Sequence, residues 1–97
     1  MNDPNLSPDP RPQAARRSGR VLVVDDIDGN INLLRHLLEP DGYDVVSASD
    51  GREALALVAS ARPDVVICDI RMPHQDGFDV CRQLKADPAT MLLPVII

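Results

Sequence analysis

Three observations predict an α/β fold with a parallel sheet and helices on both faces. Short apolar runs alternate with segments of helical periodicity, four of the former to three of the latter. The runs are continuous in Val, Ile and Leu, as strands covered on both faces require. Gly, Pro and Asp punctuate the boundaries between the two kinds of segment.

Taken in order, "RVLVV" at residues 20–24 is the first strand and ends on Asp25-Asp26. In "DGNINLLRHLLEP", Ile31, Leu34, Leu37 and Leu38 recur at helical spacing, and Pro40 with Gly42 ends the helix. "YDVVSA" is the second strand. "SDGREALALVASARP" opens on a Ser/Asp cap, carries Ala54, Leu55, Val58 and Ala61 on one face, and stops before Pro63. "DVVICD" is the third strand. "DGFDVCRQLKAD" is a helix capped by Asp76, with Phe78, Cys81 and Leu84 at intervals of three. "LPVII" is the fourth strand. Residues 1–19 stand apart: with four prolines in the first 12 positions they bury too little apolar surface to offset ordering, and are expected to be a disordered tail. The folded domain is then 20–97.

With one Tyr and one Phe, the core must be aliphatic. The net charge is −5, and residues 1–19 hold two acids and three bases, so the domain itself is the acidic part. That balance argues against nucleic acid or an anionic membrane as a direct partner. No run approaches transmembrane length, and the four apolar residues after Arg16-Arg17 and its short spacer are too few for a secretory signal. A cytoplasmic protein is the expectation. Cys68 and Cys81 show no metal-ligand spacing and sit in apolar segments, so buried reduced thiols are expected.

The carboxylates at the strand ends carry the chemistry. In open parallel sheets, sites form at the carboxyl ends of the strands where the strand order reverses. If strands one and three are neighbours, Asp25, Asp26 and Asp69 meet there. Three like charges repel unless something neutralises them. An all-oxygen cluster without His or Cys suits Mg2+ best, or Mn2+. Asp69, alone at its strand tip, is the candidate nucleophile, and Asp25 with Asp26 the candidate metal pair. Acids at strand ends are also common merely because strand ends meet water.

"RVLVVDD" followed by "PDVVICDIRMPHQDG" resembles the receiver domain of bacterial two-component response regulators, from about Arg20 to Ile97. The resemblance implies a flavodoxin-like fold with strand order 2-1-3-4-5. It implies that Asp69 accepts a phosphoryl group from a histidine kinase or phosphotransfer protein. Asp26 would bind Mg2+ directly, Asp25 would help through water or hydrogen bonds, and Arg71 would offer its backbone carbonyl. Met72, Pro73 and Gly77 would shape the following loop. "VDDIDGN" and "LKADPATMLLPVII" further resemble receivers joined to cyclic-di-GMP enzymes or hybrid histidine kinases.

Two departures stand out. Ile27 occupies a position where many members of the family carry a third acid. The sequence stops at Ile97, before the Ser or Thr after strand four, and the Lys and aromatic residue of strand five, that the family uses. The expectation is a partial domain of order 2-1-3-4 without helix four, strand five and helix five, with an apolar fourth strand at its edge. Such a chain is expected to be marginal, dimeric or part of a longer protein with an output domain, and impaired in phosphotransfer. The alternative is a degenerate receiver used for protein contact alone. A metal-dependent phosphohydrolase on the same trio is the weakest reading, since no general acid or site lysine is evident.

Other polar residues are assigned structural roles. His36 is expected on the wet side of the first helix and His74 in a solvated loop. Asn30 and Asn32 begin the first helix; Asn30 is placed either to face the site from the first loop or, as the commoner role, to cap locally, and Asp50 and Asp76 are assigned to caps.

Overall fold

The computed structural model describes residues 19–72 and 76–97. The expected tail up to residue 18 lies outside the described residues, as do Pro73 and His74. The elements run β1 (Gly19–Val24), α1 (Asp28–Leu38), a 3-10 turn (Glu39–Asp41), β2 (Tyr43–Ala48), α2 (Gly51–Ala61), β3 (Val65–Cys68), α3 (Gly77–Ala86) and β4 (Val95–Ile96). Gly19, assigned to the tail by composition, belongs to β1 and pairs with Tyr43.

All strands are parallel, in the order β2-β1-β3-β4. The chain leaves β1 for β2 on one side and then returns to β3 on the other, so the order reverses between β1 and β3. Register matters here. Val24 stands opposite Cys68, so the next residues, Asp25 and Asp69, emerge side by side.

The pleat sorts β1 into two cores. Leu22 and Val24 face a cluster with Ala48, Ala54, Val58, Val66, Cys68, Val80 and Leu84, covered by α2 and α3. Val21 and Val23 face a smaller cluster with Ile31 and Val45, under α1. Every residue of β1 from Val21 to Val24 is buried, which explains the unbroken apolar run.

Helix boundaries follow local chemistry. Asp50 caps α2 by accepting from the Glu53 backbone N–H at 2.8 Å, while the Glu53 carboxylate accepts from the Ser49 backbone N–H at 2.7 Å. Asp76 caps α3 by accepting from the Asp79 N–H at 2.8 Å. Gly42, at φ 94°, closes the 3-10 turn in the left-handed region that glycine tolerates best.

Three expectations about faces need correction. Phe78 is 50% exposed and Leu37 60% exposed. The buried face of α3 is instead Gly77, Val80 and Leu84, and α1 turns Ile31, Leu34 and Leu38 to the sheet. Cys81 is half-buried, whereas Cys68 is fully buried. The reason is common to all three: spacings of three and four both fit one helix face, and the angle at which the helix meets the sheet decides between them.

Candidate metal and phosphoacceptor site

The backbone laces the strand tips together. The Asp25 N–H donates to the Ala48 carbonyl at 3.0 Å, and the Asp69 N–H donates to the Val24 carbonyl at 2.9 Å. Both aspartates are therefore fixed by continued sheet pairing one residue past their strands. Carboxylate oxygens of Asp25, Asp26 and Asp69 lie within 4.8 Å of one another. The three acids that the sequence singles out are brought to one place.

Their surroundings differ. Asp25 is only 9% exposed. Its Oδ1 accepts from the Ile27 N–H at 2.9 Å, and its Oδ2 accepts from the Asn30 side-chain amide at 3.1 Å. Asp26 is exposed and, among the described residues, receives no hydrogen bond. Asp69 is half-buried, and its Oδ1 has only a long contact of 3.4 Å with the Arg71 N–H. A shallow depression beside the acids is lined by Asp26, Ile70, Arg71, Met72 and Asp76.

The loop after β3 is held at both ends. Met72 packs against the larger core cluster. The Gly77 N–H donates to the Ile70 carbonyl at 2.9 Å. A β-carbon on Gly77 would come within 2.5 Å of the Asp69 carbonyl oxygen, so the first residue of α3 lies directly on the backbone of Asp69. Only glycine permits that approach.

Negative potential at the site registers on its neighbour. The Cys68 thiol is pushed up to about 11, first by burial and then by the Asp69 carboxylate, with Cys81, Asp25 and Asp76 adding to it.

Of the two roles open to Asn30, the structure shows the one that faces the site and not the cap. Ile27 takes the N-cap position of α1 without a side-chain cap bond, and the Asn30 side chain turns back to Asp25. The signal in the sequence is the spacing: a helix starting three residues after Asp25 turns its first-turn side chains back toward the strand tip. Lys85, the only lysine, donates to the Leu93 and Met91 carbonyls at 2.7 and 3.2 Å, binding the C-terminal end of α3 to the approach to β4. It is thus engaged away from the acids, as expected.

Residues 21–97 match the response regulator receiver domain. The chain belongs to that family. It is 49% identical over 80 residues to the response regulator PleD of Caulobacter vibrioides, covering 82% of this chain and 18% of PleD. It is 40% identical over 78 residues to the alkaline phosphatase synthesis transcriptional regulatory protein PhoP of Bacillus subtilis, covering 80% of this chain and 32% of PhoP. Among solved structures, it superimposes on the N-terminal domain of a response regulator receiver protein from Methanoculleus marisnigri with a TM-score of 0.78 and 36% identity, over 80% of this chain and 63% of that one. The chemotaxis response regulator CheY4 of Vibrio cholerae gives 0.74 and 38%, over 78% and 63%. The receiver thus spans a minor part of these curated relatives and under two thirds of these solved chains. Its sheet has the 2-1-3-4 order of the CheY-like fold. Among the described residues, no helix is long and apolar enough to cross a membrane.

Proposed function

We propose that this receiver accepts a phosphoryl group on Asp69 from a phosphohistidine of a histidine kinase or phosphotransfer protein, with Mg2+ as the required cation. The observation that carries this reading is the convergence of three carboxylates within 4.8 Å; of the two acids whose backbones are bonded to a neighbouring strand, Asp69 has the less engaged oxygens, with one long contact against the two hydrogen bonds on Asp25. The donor set supports the cation: it is all oxygen, it is short of positive charge, and Mg2+ takes one or two carboxylates and leaves positions for a phosphoryl oxygen. Asp26 and Asp69 would hold it directly, Asp25 would support it, and the Arg71 carbonyl would complete the protein's share. When bound, Mg2+ supplies neutralisation of charge on the transferring group.

The remaining work falls to the chain. An Asp69 oxygen attacks phosphorus in line with the phosphorus–nitrogen bond of the donor. The new phosphorus–oxygen bond forms as that bond breaks, and the imidazole nitrogen leaves with the electron pair. The product is an aspartyl phosphate. In this reading the module is a signalling element and not a free-standing enzyme, with a kinase or phosphotransfer protein upstream and an output domain or second receiver downstream. Two free thiols suit a reducing compartment, and we assign the module to the cytoplasm. The test is incubation with Mg2+ and acetyl phosphate followed by intact-mass measurement. A gain of one phosphoryl group, absent in Asp69→Asn and in chelator, is expected; no gain at any donor concentration would overturn the reading for this chain.

A second reading, protein contact without phosphotransfer, draws on the β4 region. Met91, Leu92, Ile96 and Ile97 are all exposed there, with Leu92 at 88%, beside a strand that, among the described residues, pairs with β3 alone. It predicts concentration-dependent association in sedimentation without metal or phosphodonor, and a monomer throughout would remove it.

A further inference from the structure

We propose that Asn30 is a positioning residue that holds the Asp25 carboxylate in place for the cation. The inference rests on the Mg2+ reading above. Asp25 is nearly buried, and both of its oxygens are held, one by the Ile27 N–H at 2.9 Å and the other by the Asn30 amide at 3.1 Å. A carboxylate only accepts, so the amide presents its NH2 group to it. Each oxygen keeps a lone pair, and the orientation of the Asp25 carboxylate is set before any cation arrives.

The residue type is informative. A lysine or arginine at position 30 would also donate, but its charge would cancel Asp25 and repel a cation. The amide orients without competing. Nor does the helix need this side chain. The Asn30 backbone N–H already donates to the Ile27 carbonyl at 3.1 Å, and α1 has no side-chain cap bond. Asn30 is itself exposed, so its amide is not there to satisfy a buried group of its own. With Asn30 gone, the Ile27 N–H alone would hold the carboxylate, and the plane of the carboxylate would be free to turn about its last torsion.

The test compares Asn30→Leu, close in shape but without a donor, with Asn32→Leu, another exposed position of the same helix. Mg2+ affinity is read by calorimetric titration, and thermal stability is read without metal. The expected result is a Mg2+ affinity on the order of 10-fold weaker in Asn30→Leu, as for loss of a group that orients a ligand. Metal-free stability should be unchanged in it, and both properties unchanged in Asn32→Leu. Equal Mg2+ affinity in Asn30→Leu and the unmodified chain would overturn this inference and leave the metal reading standing. So would a loss of metal-free stability that accounts for the weaker binding, or the same weakening in Asn32→Leu. No saturable Mg2+ binding by the unmodified chain would overturn both readings together.

Discussion

The β1–α1 and β3–α3 loops each begin with an aspartate fixed by a backbone bond to the neighbouring strand, and there the likeness ends. In the first loop Asp25 is held by two further donors and is nearly closed off from water. In the second, Asp69 is half-exposed with one long contact to the backbone of Arg71, and the restraint falls on its main chain through Gly77 and Ile70. The first loop fixes a carboxylate. The second fixes a backbone and leaves the carboxylate available. On the proposed reading, a carboxylate that supports a cation must be oriented and a nucleophile must be free to approach phosphorus, and the two loops would divide those requirements between them.

Four substitutions or measurements bear on that contrast. The largest effect belongs to Asp69→Asn, which should abolish phosphorylation while leaving the fold intact. Mass spectrometry reads the first, circular dichroism the second. Next, Gly77→Ala should destabilise the chain on the order of 1–2 kcal/mol, several degrees in a domain of this size, because the new β-carbon meets the Asp69 carbonyl. The sign is diagnostic, since alanine for glycine within a helix ordinarily stabilises. The same change should slow phosphorylation by displacing Asp69.

A smaller effect separates the paired acids. Asp25→Ala and Asp26→Ala both relieve carboxylate repulsion, but only the first empties a nearly buried position and leaves the Ile27 backbone N–H without its acceptor. The metal-free stability of Asp25→Ala should fall below that of Asp26→Ala by about 1–2 kcal/mol in denaturant unfolding. Equal stabilities would mean that Asp25 is no more restrained than its neighbour. Smallest in consequence, iodoacetamide at pH 8 should label Cys81 well before Cys68. Cys68 is buried, and burial with the nearby acids keeps its thiol protonated up to about 11. Preferential labelling of Cys68 would contradict the negative potential assigned to the site.

Much of this was legible in the sequence because it is local or periodic. The strand tips at Asp25 and Asp69, the caps Asp50 and Asp76, and the helix stop at Gly42 each rest on neighbours a few residues away. The meeting of the acids needed one further fact, that β1 and β3 are adjacent, which the alternation of strands and helices makes natural. What escaped depends on angles between elements. Phe78 and Leu37 sit at helical spacing yet face outward, since α3 meets the sheet through Val80 and Leu84, and α1 through Ile31, Leu34 and Leu38. For Asn30 the sequence leaves two roles open, a cap and a face toward the site, and favours the cap because asparagine near a helix start is usually that. Its amide reaches Asp25 only because α1 begins at Asp28, directly beyond the strand tip.

If the restrained and the open acid play different parts, the phosphoryl group is carried by one aspartate alone, and its position can be read chemically. Acyl phosphates are reduced by borohydride to the alcohol, which converts a phosphorylated aspartate to homoserine. After treatment with Mg2+ and acetyl phosphate, reduction and peptide mapping by mass spectrometry should find homoserine at position 69 and at no other aspartate. Conversion at position 25 or 26 would contradict the account.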